Sequence, residues 1–137
     1  WLFWQVGNQG PMAGQLSHFV NYADGGIEYG KKRYGNEYNR CLGVLEKRLA
    51  DREYIVGDYS IVDMICWPWV LIAKPLGQSL DDFPNVSRWR NAIKERPAVQ
   101  RGVDVGKEFR RAGPPSDEER KVMFNQTAQT ASEQGGA

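Results

Sequence analysis

Apolar residues recur at steps of three and four along most of this chain, and no stretch alternates apolar with polar convincingly enough for a strand. "WLFWQV" at 1–6 is short and apolar and reads as the end of a helix, broken by Gly7 to Pro11. A second helical stretch runs from about Met12 to Tyr22, where "ADGG" ends it. Residues 27–50 carry the longest pattern. There Tyr34, Tyr38, Cys41, Leu42, Leu45 and Leu49 share one face, with Lys31, Lys32, Arg33, Glu37, Glu46, Lys47 and Arg48 mainly off it. Gly30, Gly35 and Gly43 interrupt this helix at roughly 1 kcal/mol each relative to Ala, which predicts close packing or a kink.

The segment "SIVDMICWPWVLIA" from residue 60 has the strongest start signal. Ser60 and Asp63 stand at the two positions of a capping box, with Tyr59 and Met64 at the flanking staple positions. The carboxylate also meets the positive end of the helix dipole. Each capping side chain is worth on the order of 1 kcal/mol. The helix behind the cap is apolar nearly all round, which predicts a buried central helix that packing holds despite Pro68. Residues 85–96 form another amphipathic helix, with Val86, Trp89 and Ile93 on one face and Pro97 at its end. A short final turn is expected within 98–110.

The expected fold is all-α, a bundle of about five helices spanning 1–112. Residues 113–137 are expected to be a mostly disordered tail, polar from Asn125 onward. A second capping box, Ser116 with Glu119, predicts a short helix within that tail.

Composition narrows the chemistry. The chain has 137 residues, enough for one domain with a core, and 18 basic against 17 acidic residues, which argues against a dedicated nucleic-acid binder. No apolar run reaches the roughly 20 residues of a membrane span. His18 is the only histidine, so a histidine zinc cluster is excluded and a surface or capping role is expected for it. Cys41 and Cys66 are too few for a disulfide scaffold, sit in apolar surroundings, and read as inert buried thiols of a cytoplasmic protein. The chain begins without a methionine and with exposed-looking aromatics, which leads us to expect a fragment of a longer protein.

"YIVGDYSIVDMICWPWV" followed by "DDFPNVSRWRNAIKERPAVQRG" resembles the C-terminal helical domain of cytosolic glutathione transferases. "WLFWQVGNQGPMAGQ" is similar to the Nu class in particular, which includes disulfide-bond reductases. The resemblance runs over residues 1–110, with Val62 departing from the alanine common at its position.

The resemblance implies a two-domain enzyme using glutathione as co-substrate without a metal, with a small electrophile or disulfide as second substrate. It implies a cytoplasmic homodimer, and an N-terminal thioredoxin-like domain, absent from this chain, that supplies the thiol-activating group. No catalytic residue is therefore assigned here, and this chain alone is expected to be inactive. Arg33, in "KKRYGNE", is the implied glutathione-binding residue, suited because a guanidinium pairs bidentately with a carboxylate. Beside that stands the plain reading of a solvated helix arginine. Trp4, Met12 and Trp67 are candidate walls of the apolar second-substrate pocket, with an ordinary core position the stronger reading for Trp67. Ser60 and Asp63 are assigned to capping only. The alternative is a non-catalytic helical interaction module of transferase-like fold. The apolar character of "WLFWQV" speaks against it.

Overall fold

The computed structural model describes residues 1–25, 27–110, 113–125 and 127–130. Seven α-helices are found among them: α1 (Leu2–Trp4), α2 (Gly10–Asn21), α3 (Glu28–Arg48), α4 (Ile61–Leu71), α5 (Pro84–Lys94), α6 (Pro97–Asp104) and α7 (Asp117–Phe124). The only extended pairing among these residues is two isolated bridges in the α3–α4 connection, Tyr54 with Gly57 and Val56 with Asp58. The chain divides into two units, Trp1–Gln100 and Arg101–Ala137. The expected domain boundary at 112 falls on a residue outside the described set, as does the end of the expected tail, 131–137.

The first unit is built around α3. Tyr38, Cys41, Leu42, Leu45 and Leu49 of its apolar stripe are buried. Tyr34, at the stripe's N-terminal end, stacks on Phe19 of α2 with ring centroids 5.5 Å apart. Also buried are Ala13 and Leu16 of α2, Val62, Cys66 and Val70 of α4, and Val86, Trp89 and Ile93 of α5. Gly30 is required by packing: a Cβ there would stand 2.5 Å from the Phe19 ring. The expectation that glycines in α3 mark close approach therefore holds at Gly30.

The chain does not break at Gly7–Pro11. It continues from α1 through a π-helical turn, Gln5–Gln9, directly into α2. The Gly10 N–H bonds to the Gln5 carbonyl, five residues back. The wider turn precedes Pro11, whose ring would clash with the carbonyl four residues back in a regular α-helix. Gly10 is closely packed: a Cβ there would stand 2.7 Å from Gln5 Nε2 and 3.3 Å from both the Gln5 carbonyl and the Trp69 ring. Gln9, fully buried, donates from Nε2 to the Cys66 carbonyl at 3.1 Å and so ties this turn to α4.

Helix α4 opens on the expected capping box between Ser60 and Asp63. Ser60 N–H donates to Asp63 Oδ2 at 3.0 Å, and Ser60 Oγ accepts from Val62 N–H at 3.2 Å. Tyr59 packs edge-on to Tyr54 and under the Arg96 guanidinium, which lies 3.7 Å from its ring centre. Helix α4 is not buried on all sides. Ile61 is 60% and Met64 50% exposed, and Pro68 lies on the same face. Packing against α2 and α5 covers only one side of an all-apolar helix. The hydrogen bond that Pro68 deletes would have joined the Met64 carbonyl, on the face that water reaches.

In the second unit, α7 begins at the other expected capping box. Ser116 N–H donates to Glu119 Oε2 at 2.7 Å, and Glu119 N–H donates to Ser116 Oγ at 3.2 Å.

Candidate functional site

Helix α3 turns one polar face toward an open groove of about 740 Å³ beside α2. Tyr29, Lys32, Arg33, Asn36, Glu37 and Arg40 line it, at the three- and four-residue spacing that stacks side chains along one side of a helix. Met12, in the first turn of α2, supplies an apolar patch, and Tyr34 lies beside it. The volume falls within the range of small-molecule sites.

The charges in the groove are unevenly matched. Arg40 and Glu37 form a fork, with Nε 3.0 Å and Nη2 2.7 Å from Glu37 Oε1. That hydrogen bond is the main reason the Glu37 carboxyl titrates below its ordinary value, and the positive charges of Arg40 and Arg33 add to the effect. Lys31, outside the groove, pairs with Glu28 at 3.4 Å. Lys32 and Arg33 are exposed, and no ion pair joins either to another described residue. Two cations thus stand beside an apolar side chain, which suits an anionic ligand with a nonpolar part.

The structure brings Arg33 and Met12 together and leaves Trp4 and Trp67 elsewhere. Trp67 is 5% exposed and donates from Nε1 to the Arg90 carbonyl at 2.9 Å, a core position. Trp4 is half-buried and meets Trp1 edge-on at 5.1 Å, with Arg48 stationed 5.4 Å from the Trp1 ring centre. His18 lies in the last turn of α2 against the Phe19 and Tyr22 rings. Both cysteines are buried, and desolvation raises both thiol pKa values, that of Cys66 to about 12, so neither is a ready nucleophile. Asp63 and Ser60 lie within the α4 cap and do not line the groove. Among the described residues no cluster of three or more potential metal ligands is found, and no helix is long and apolar enough to cross a membrane.

Sequence reasoning missed Tyr29, Lys32 and the Glu37–Arg40 fork. The signal was present as a run of charged and aromatic residues at helical spacing from 29 to 40, but such a run reads equally well as a solvated face.

Residues 28–97 match the family described as glutathione S-transferase, C-terminal domain. The chain is 44% identical over 100 residues to the disulfide-bond oxidoreductase YfcG of Escherichia coli, covering 72% of this chain and 46% of that protein. It is 39% identical over 115 residues to the disulfide-bond oxidoreductase YghU of the same organism, covering 78% of this chain and 40% of that one. It therefore spans about half the length of these relatives, or less. A glutathione transferase from Burkholderia graminis, solved with two glutathione molecules bound per subunit, is similar at 44% identity and a TM-score of 0.67, with 78% of this chain and 48% of that one covered. A family member from Pseudomonas fluorescens, also solved with two glutathione bound, is similar at 38% identity and a TM-score of 0.68, over 75% of this chain and 49% of that one.

Proposed function

The chain belongs to the glutathione S-transferase family, whose C-terminal helical domain it matches, and we propose that it is the helical half of a glutathione-dependent enzyme that reduces disulfides or conjugates electrophiles. The observation that carries this reading is the groove itself, in which Lys32 and Arg33, neither in an ion pair with another described residue, face the same space as Met12. Arg33 binds a glutathione carboxylate through its guanidinium, and Met12 contributes apolar wall to the second substrate. The names of the relatives favour disulfide reduction over conjugation.

In the complete protein a thioredoxin-like domain supplies the group that ionises the glutathione thiol. The thiolate attacks one sulfur of the disulfide substrate and the other sulfur leaves as a thiolate. The helical half contributes binding and orientation, and no residue of it touches the reacting sulfur. The same reading makes the complete protein a cytoplasmic homodimer, its state measurable by sedimentation. Trp4 and Trp67 act here as packing residues rather than pocket walls.

The test is Arg33→Ala in the complete protein, with glutathione affinity measured by calorimetry and the fold checked by circular dichroism. Loss of a charge-assisted pair predicts binding about tenfold weaker or more, with the fold unchanged. Equal affinity in the variant removes Arg33 from the site.

A further inference from the structure

A second cavity, of about 460 Å³, opens where the α4–α5 connection folds over the side of α5, and Lys74, Gln78, Ser79, Asp81, Ser87 and Arg90 supply its polar lining. The connection is built firmly. A 3-10 turn, Lys74–Leu76, ends at Gly77, which turns the chain in the left-handed region at φ +75°. Gln78 is tied back by its N–H to the Ala73 carbonyl at 3.0 Å, and its Oε1 accepts from Asn39 Nδ2 of α3 at 3.2 Å. Ser79 Oγ accepts from the Asp81 N–H at 3.0 Å. On the opposite wall the Arg90 backbone is pinned by the bond from Trp67 to its carbonyl.

Three charged groups share this cavity, and none pairs with another. No ion pair among the described residues involves Lys74, Asp81 or Arg90. The Arg90 guanidinium reaches only Asn91 Oδ1, at 3.3 Å, and its Nε is buried with no acceptor among the described residues. That buried Nε lies beneath the cavity surface, so the character of the cavity is set by the charged side chains that line it, Lys74, Asp81 and Arg90. Two cations and a carboxylate that line one cavity without forming an ion pair are complementary to a ligand that carries both signs.

We propose that this cavity binds the head group of a free α-amino acid, its carboxylate on Arg90 and Lys74 and its ammonium on Asp81, with Val70, Ala73 and Leu80 lining the remaining space. The site is separate from the groove on α3 and shares no lining residue with it.

The test is titration of the labelled chain with L-glutamate, acetate and glutathione, followed by amide shifts in two-dimensional NMR. L-glutamate shifts the amides of Ser79, Asp81, Ser87 and Arg90 saturably in the millimolar range, and acetate does so more weakly. Lys74 and Asp81 are exposed, so Lys74→Met and Asp81→Asn keep the fold. Each weakens L-glutamate binding about tenfold, as does Arg90→Met, and Asp81→Asn leaves acetate unaffected. Arg33→Ala leaves all of these shifts unchanged, which separates this site from the groove. Glutathione retains the same head group on its γ-glutamyl end. Shifts from both ligands support head-group recognition, whereas shifts from glutathione alone overturn the free-amino-acid assignment. No saturable shift with L-glutamate, or affinity unchanged in all three variants, overturns the proposal.

Discussion

Trp89 Nε1 donates to Asp63 Oδ1 at 2.8 Å, joining α5 to the first turn of α4 between two fully buried side chains. The same oxygen accepts from the Ile55 N–H at 3.0 Å. The other oxygen accepts from Ser60 N–H at 3.0 Å and Ser60 Oγ at 3.3 Å. One carboxylate therefore holds together the α3–α4 connection, the start of α4 and the middle of α5. Asp63→Ala removes the acceptor for every one of these donors and is expected to destabilise the domain by about 3–5 kcal/mol. Asp63→Asn is expected to cost nearly as much, because its amide turns a donor toward donors. Ser60→Ala is expected to cost about 1 kcal/mol. Urea denaturation of the three variants tests this ranking. An Asp63→Ala cost no larger than that of Ser60→Ala would reduce Asp63 to an ordinary cap.

Glu46 of α3 supplies the missing cap of a different helix. The N-cap residue of α5, Phe83, has no capping side chain. Glu46 Oε1 accepts from Asn85 N–H at 3.1 Å and from Asn85 Nδ2 at 2.6 Å, and Oε2 accepts from Val86 N–H at 3.0 Å. A carboxylate against the first amides also meets the positive end of the α5 dipole. Glu46→Ala is expected to lower stability by about 1–3 kcal/mol, with Glu46→Gln recovering part of it. Thermal unfolding of both variants checks this. Equal loss in both would show that the cap needs both carboxylate oxygens as acceptors, since Gln keeps only one.

These two carboxylates mark how far the sequence could be read. The Ser60–Asp63 box is local, three residues apart, and its pattern is visible in the chain. The Trp89 and Ile55 donors to the same carboxylate arrive from other elements and leave no spacing signal. Glu46 lies 39 residues before Asn85, so its capping role is invisible without the fold. The apolar stripe of α3 was legible because periodicity encodes burial directly. The burial of α4 was overestimated for the converse reason: an all-apolar helix does not say which of its faces this chain covers. Pro11 signalled a break in sequence, and the π-turn before it let the helix continue. In the groove, Arg33 and Met12 were legible through the family resemblance, and Lys32 differs from the paired Lys31 only in three dimensions.

Gly30 offers a test of packing between α2 and α3. A methyl group there would meet three atoms of the Phe19 ring within 2.5–2.7 Å. Helix propensity favours Ala by about 1 kcal/mol, but overpacking costs about 1–3 kcal/mol. Gly30→Ala is therefore expected to lower stability, and Phe19→Leu in the same chain to restore much of the loss. A double-mutant cycle by chemical denaturation gives the coupling. A stabilised single variant would mean that the Phe19 ring moves aside freely.

The cysteines give a pH dependence with a definite sign. Burial is the main reason both thiol pKa values are raised, that of Cys66 to about 12, against roughly 8.5 for a free thiol. The unfolded chain loses these protons first, so above pH about 8.5 the native state binds more protons than the unfolded one. Their contribution to stability is complete below that pH and is lost as pH rises toward about 12, the folded value for Cys66, at up to about 1.4 kcal/mol per pH unit per thiol. Desolvation also raises the Tyr38 phenol and adds to the loss above pH about 10. Denaturation midpoints measured from pH 7 upward are expected to fall, and Cys66→Ala to flatten the fall. In the folded chain, iodoacetamide is expected to label both thiols far more slowly than in urea. Labelling at the same rate in both conditions would show that the thiols are open to solvent and overturn the assignment of Cys41 and Cys66 to the core.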